Sequence, residues 1–487
     1  MLLPRKRAAA AAGCGFSLVA AGALLAALRA GPPAPESDEL IAASGWANPR
    51  TSTVFDPDDD IEYPSYRVPA IASLGGETLL AFAEARRSAR DDGPIDILVK
   101  RSDDNGVTWS LDATRVVSNQ FGVPGAPPGS RGFTSYGNPT PIALAPASPA
   151  DRPAVVLLFT VNETYVFLAR TTDGEKWTNP VDITEQVKLP GRGRMATGPG
   201  HGVQLAHGAH AGRLLAPFNH LLAESAVVQR QVWASDPADA RRVQSVVTDY
   251  EVDNAEAALG HHAGAHARAG GAASHHFAQR EHVSGRIVDL GVGDALGGLN
   301  AYEARGSFGA TLYSDDGGGT WHVGSDIPAL GSHEHMLAEL PSGEVISSYR
   351  LYNARGPRCR HFASSTDGGI TWTLREQAGA SSGDGGGCTV PDPQCEGSLA
   401  SSGGWLYAAS PSDPTERRAL GLYASADGAR SWRLVGRPNV RGLAGYSDLH
   451  TWPPVGVEPW PEIGVLFEHG PAGASAIAFT RAHLGEE

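Results

Sequence analysis

Cysteine is scarce in this chain: four among 487 residues. That excludes a small disulfide-held scaffold, and no Cys or His falls at zinc-ligand spacing. Basic charge is also short, with 39 Lys and Arg against 53 Asp and Glu, a net charge of −14. Such a balance argues against nucleic acid or a broad anionic surface as a partner, so any basic site must be local. There is no phosphate-cradling glycine loop, no metal-binding triad and little long amphipathic helix pattern. We therefore expect no cofactor and no metal.

What the chain does have is a short signature, Ser-x-Asp-x-Gly-x-Thr-Trp. It is complete at 102–109, 314–321 and 365–372. A near copy occupies 425–432, with Ala429 for Gly and Ser431 for Thr, and a frayed copy lies at 171–177. Apolar or alternating segments precede each copy. Asp and Gly make the turn, and Thr-Trp opens the next strand and packs beneath it. The unit is strand, tight turn, strand, and its acidic side chains are read as closing the turn on itself rather than as holding a ligand. Repetition implies stacked copies of one supersecondary unit. The long gap between the second and third copies would hold one unmarked unit and an insertion. Spread over six units, residues 50–487 give roughly 73 residues each, which predicts an all-β, six-bladed β-propeller of four-stranded antiparallel blades.

Residues 1–30 carry Arg5, Lys6 and Arg7 before an uncharged, alanine-rich run at 8–28. This is the pattern of a cleaved signal peptide or a type II signal-anchor, and both stay open. Either places the protein in the secretory pathway, secreted or anchored in the membrane with its bulk lumenal or extracellular. Residues 31–60 read as a linker or stem, and residues 61–487 as one propeller domain. A stretch rich in His, Ala and Gly at about 251–300 reads as a surface insertion to which no site is assigned. Cys388 and Cys395 could close a small loop. A monomer is expected.

Tyr66-Arg67-Val68-Pro69, together with the repeats, resembles the sialidase (neuraminidase) family, in which the repeat is called the Asp-box. The resemblance continues through residues 79–86, Asp91-Asp92-Gly93-Pro94, 197–205 and Gly445-Tyr446-Ser447-Asp448. It covers about residues 60–480. It implies a retaining exo-α-sialidase that removes terminal sialic acids from glycoproteins, glycolipids or oligosaccharides.

The substrate's carboxylate suits a grip of guanidinium forks. By resemblance these are Arg67, Arg350 and Arg417, with Arg355 and Arg418 as rivals for the last two. A carboxylate nucleophile would be repelled by the substrate's own anion, so a phenol fits better, as in sialidases with a tyrosine nucleophile. Tyr446 is that candidate, Glu334 the base beside it, and Asp91 (or its neighbour Asp92) the acid for the leaving group. Glu468 would partner the first arginine, and Arg86 with Glu84 would line the pocket. Two readings compete. A trans-sialidase would share the chemistry with a sugar acceptor. A propeller that only binds sialoglycans would not need the Asp, Glu and Tyr.

Overall fold

The computed structural model describes residues 46–59, 61–88, 93–117, 134–146, 148, 152–188, 192–222, 228–231, 247–252, 277–283, 286–290, 307–329, 331–351, 358–376, 389–439, 442–453, 461–470 and 476–484. Over these the protein is a six-bladed β-propeller of antiparallel, four-stranded sheets with almost no helix. The blades open on Ser65–Ser73, Tyr136–Leu144, Arg192–Thr197, Ser332–Glu339, Ser398–Ser402 and Ala444–Trp452. These inner strands pack blade against blade, and each blade then steps outward strand by antiparallel strand, with the link between the second and third strands of blade three, Leu214–Leu222 and Ser307–Ser314, carrying a long insertion.

Blade six closes the ring. Its outermost strand is Trp46–Phe55, paired antiparallel with Ala476–Leu484. Residues 46–55 are therefore not linker, as expected from the sequence, but part of the propeller. The alternation at Thr51, Thr53 and Phe55 is a short strand signal masked by the Pro and Asp residues that follow it.

The signature copies occupy the turn between the third and fourth strands of blades one to five, one copy per blade. Blade six has none, because its fourth strand comes from the other end of the chain. The unmarked unit is thus this last blade and not a unit inside the long gap. That gap holds the start of blade three and an added four-stranded antiparallel sheet: Val228–Gln231, Val247–Val252, Phe277–Val283 and Arg286–Leu290. The histidines His261, His262, His266, His275 and His276 lie outside the described residues, as does the N-terminal apolar run. Among the described residues no helix is long and apolar enough to cross a membrane.

Each turn satisfies itself. In the first, Ser102 Oγ donates to Asp104 Oδ1 (2.8 Å) and accepts from Gly106 N (2.8 Å), while Asp104 accepts from Thr108 N (2.8 Å) and Thr108 Oγ1 (2.6 Å). The same bonds recur around Asp316, Asp367 and Asp427. Ala429 takes the glycine's left-handed conformation, with φ of 69°, a strained state for a residue with a Cβ. The signature Trp packs on the preceding blade. Trp109 meets Phe479 of blade six edge-on at 5.4 Å, Trp177 meets Phe82 of blade one at 5.8 Å, and Trp432 stacks on Phe362 of blade four at 4.8 Å. The repeat thus joins blade to blade by burying aromatic area.

Candidate active site

At the opposite end of the inner strands the ladders break. Pairing slips between Arg67 and Ala70 in blade one, between Ser332 and His335 in blade four, and between Ala444 and Ser447 in blade six. Such bulges re-aim side chains. Here they turn Arg67, Glu334 and Tyr446 toward one another. In blade one the bulge forces Val68 into the left-handed region, with φ of 55°. That conformation is costly for a β-branched residue and persists only where its surroundings hold it.

Glu468 supplies that hold. It is fully buried, on the second strand of blade six, Glu462–His469. Its Oε1 accepts from Val68 N (2.8 Å) and Arg67 Nε (3.2 Å), and its Oε2 accepts from Tyr446 N (3.0 Å). One carboxylate therefore fixes the arginine, the strained backbone beside it and the tyrosine's backbone. Asp448 does the same one level down. It accepts from Ile71 N (2.8 Å), His201 N (3.1 Å) and Ser398 Oγ (3.2 Å), and its Oδ1 lies 2.6 Å from His201 Nδ1. Burial disfavours the charged form of His201, but Asp448 outweighs it and the histidine's pKa is raised.

Tyr446 stands at the centre. Its hydroxyl donates to Glu334 Oε1 at 2.7 Å and accepts from Arg350 Nη1 at 3.3 Å. Arg350 also pairs with Glu334 Oε2 at 2.8 Å. Three guanidinium carbons surround the phenol ring: Arg67 at 5.1 Å, Arg417 at 5.4 Å and Arg350 at 5.9 Å from its centroid. Burial raises the Tyr446 pKa well above its usual 10, with Glu334 adding and the arginines opposing. The resting side chain is a neutral phenol hydrogen-bonded to a carboxylate. His333 is held neutral, since burial and then Arg350 push its pKa well below 6.5. Its Nδ1 lies 3.4 Å from Arg350 Nη2.

Arg86 and Glu84 sit on the second strand of blade one, joined through Arg86 Nε at 3.0 Å. Glu84 Oε1 reaches blade two, accepting from Asn138 N at 2.8 Å. Burial raises the Glu84 pKa, opposed first by Arg86 and more weakly by Arg67. The pair flanks the cluster rather than joining its centre. Gly137 allows this approach, because a Cβ there would lie 2.9 Å from Glu84 Oε1.

Arg418, the rival of Arg417, points away. It is half-exposed and pairs with Asp413 at 2.8 Å and Glu416 at 3.2 Å. Asp91, Asp92 and Arg355 lie outside the described residues. The suggested Cys388–Cys395 bridge does not form, because Cys395 is a free, buried thiol beneath Tyr446 and Val68, while Cys359 is disulfide-bonded. Burial pushes the Cys395 pKa up to about 12.

Sequence reading missed Asp448, Arg360 and the carbonyl of Gln394. Asp448 adjoins Tyr446 in a segment already singled out, and its partner His201 lies in the 197–205 segment. The other two carry no local signal. Among the described residues no group of three or more His, Cys, Asp or Glu could hold a metal ion. The cluster sets three guanidinium charges against the carboxylates of Glu334 and Glu468, which suits a small anion beside the Tyr446 hydroxyl.

No protein-family model matches the chain. It is similar to an exo-alpha-sialidase of Arthroderma benhamiae, 28% identical over 176 residues, covering 30% of this chain and 40% of that protein. A sialidase of Bacteroides fragilis is 23% identical over 352 residues, covering 64% and 55%. The chain thus spans about half or less of the curated relatives it matches. Among solved structures, a Hadza microbial sialidase superposes with a TM-score of 0.57 at 20% identity, covering 89% of this chain and 68% of that one. An intramolecular trans-sialidase from Ruminococcus gnavus gives 0.55 at 15%, covering 90% and 98%. At these identities the structural likeness concerns the fold.

Proposed function

We propose that this chain is a retaining exo-α-sialidase, a glycoside hydrolase that releases terminal sialic acid from sialylated glycoconjugates, with water as acceptor. The observation that carries the reading is the convergence of Arg67, Arg350 and Arg417 on the ring of Tyr446, whose hydroxyl is 2.7 Å from Glu334. The sialidase names of its relatives support it.

In this account the three arginines clamp the substrate carboxylate. The Tyr446 oxygen attacks the anomeric carbon, and its proton passes to Glu334. A neutral phenol is a weak nucleophile, and the short bond to Glu334 gives its proton somewhere to go as the new bond forms. Asp91 or Asp92 protonates the departing glycosidic oxygen and then activates the water that cleaves the glycosyl-tyrosine. Glu468 keeps Arg67 and Tyr446 in register. Attack on a centre beside an anion explains why the nucleophile is a phenol and not a second carboxylate.

Hydrolysis of a fluorogenic α-sialoside by the wild type, lost in Tyr446→Phe, is the expected result. Intact sialoside binding with no turnover in the wild type would point to a binding propeller. Adding lactose tests for trans-sialidase activity: transfer in excess of hydrolysis would assign the chain to that reaction. We further infer a secretory-pathway location, a reading that the disulfide at Cys359 supports because such bonds persist in oxidising compartments.

A further inference from the structure

Arg360 plays no part in the chemistry above, yet it is one of the largest fully buried side chains of the protein, 1% exposed. Its guanidinium is spent on one turn and one strand. Nε donates to Ser348 Oγ (2.9 Å), Nη1 to Cys395 O (2.7 Å) and Asp392 Oδ2 (3.3 Å), and Nη2 to Gly397 O (2.8 Å) and Ser348 O (3.2 Å). Ser348 lies two residues before Arg350 on the strand Val345–Leu351 of blade four. Cys395 and Gly397 lie in the turn 391–397 that leads into blade five. The backbone repeats the link, since Arg360 N donates to Val390 O and Asp392 N to Arg358 O, both at 2.9 Å. Asp392 Oδ1 also closes the turn on Cys395 N at 2.7 Å. Gly397 is needed for this approach, because a Cβ there would lie 3.2 Å from the Arg360 Cζ and 2.8 Å from Ala409 O.

The turn presents one group to the site. Gln394 is left-handed, with φ of 58°, and its carbonyl accepts from Arg350 Nη1 (3.2 Å) and from Arg417 Nη2 (3.0 Å). Two guanidiniums from different blades repel each other, and a shared carbonyl dipole offsets that repulsion while fixing their separation.

We propose that Arg360 is a positioning residue for anion recognition: by clamping the turn 391–397 onto the Arg350 strand it holds the Gln394 carbonyl between Arg350 and Arg417, which sets the spacing of that guanidinium pair. The inference rests on the sialidase reading for the identity of the anion. The geometry it depends on exists without any substrate.

The test uses the full chain with Arg360→Lys, which keeps the charge but loses the fork, and Arg360→Met. With a fluorogenic α-sialoside, KM should rise roughly ten-fold while kcat changes by no more than about three-fold. The preference for free N-acetylneuraminic acid over its methyl ester as competitive inhibitor should fall by a similar factor. A lower Tm with KM and the acid-to-ester preference unchanged would overturn the proposal and leave Arg360 a structural residue. The second readout needs no activity. In the ligand-free protein, the Nε–Hε NMR signals of Arg350 and Arg417, assigned by substituting each with Lys, should move in Arg360→Lys. If the wild type cleaves no sialoside, the functional reading has failed, and these signals alone decide the clamp: unmoved signals overturn it. Should Arg360→Met not fold, Arg360→Lys carries both readouts.

Discussion

The two ends of each blade solve opposite problems. At the outer turn, Asp104 bonds to residues two and four positions away, and Asp316, Asp367 and Asp427 repeat the arrangement. At the inner bulge, Glu468 reaches back to Val68 and Arg67 from the far end of the chain, and Asp448 reaches Ile71 and His201. The first end is local, repeated and chemically closed. The second is assembled from several blades, differs in every blade, and holds strained backbone and converging charge. The repeated end joins neighbouring blades by the same local means each time, and the unrepeated end, which also ties blade six to blade one through Glu468 and Asp448, varies from blade to blade and can carry chemistry.

Substitutions at the two ends should separate accordingly. The largest effect is expected for Tyr446→Phe, which removes one oxygen from the centre of the bulge end: kcat on an α-sialoside should fall by at least about a thousand-fold with Tm nearly unchanged. A variant retaining a tenth of wild-type activity would break the comparison at its centre. Next comes Glu468→Gln, which leaves Arg67 without its buried counter-charge. Breaking a buried pair this way costs on the order of 3 kcal/mol, so a Tm drop of several degrees and roughly a hundred-fold loss in kcat/KM should appear together in melting and steady-state experiments.

Asp367→Asn probes the turn end. Activity should stay within about two-fold and Tm should fall by a few degrees at pH 7. Burial opposes the charge of Asp367, but bonds from Thr371 and Ser365 prevail and hold its pKa below the ordinary 3.8. A carboxylate with a lowered folded pKa adds stability above its unfolded pKa and loses it as pH falls through the folded value. The Tm gap between wild type and Asp367→Asn should therefore close as pH falls from about 4 downward.

The smallest effect should come from Glu396→Gln. This buried carboxyl accepts from Ser447 N at 3.0 Å, its other oxygen has no hydrogen-bond partner among the described residues, and burial raises its pKa well above 4.5. A raised carboxyl pKa costs stability as pH climbs above the unfolded value. Glu396→Gln should thus melt a degree or two higher than wild type at pH 7.5 and converge with it near pH 4. A lower Tm at pH 7.5 would show that Glu396 is charged and paired.

What the sequence revealed follows the same division. The Asp and Gly of the turn lie within eight residues of each other, so five copies could be read directly and the propeller with them. Six blades were expected, but the unmarked one was placed in the long gap, because the true last blade takes its outer strand, Trp46–Phe55, from the other terminus and needs no such turn. Arg67, Glu334, Arg350, Arg417, Tyr446 and Glu468 were legible only through family resemblance, since nothing within ten residues of Glu468 says that Val68 and Tyr446 need its oxygens. Arg360 and Gln394 were not legible at all. A carbonyl has no sequence signature, and a buried arginine differs from a surface one only through the fold around it.

The most direct test of the central claim is to trap the nucleophile. The full chain would be incubated with a 3-fluorosialyl fluoride, a slow-turnover sialic acid donor, then digested and mapped by mass spectrometry. The account predicts one fluorosialyl adduct, on the peptide containing Tyr446, absent from Tyr446→Phe. An adduct on another residue, or turnover of the reagent with no adduct, would contradict it.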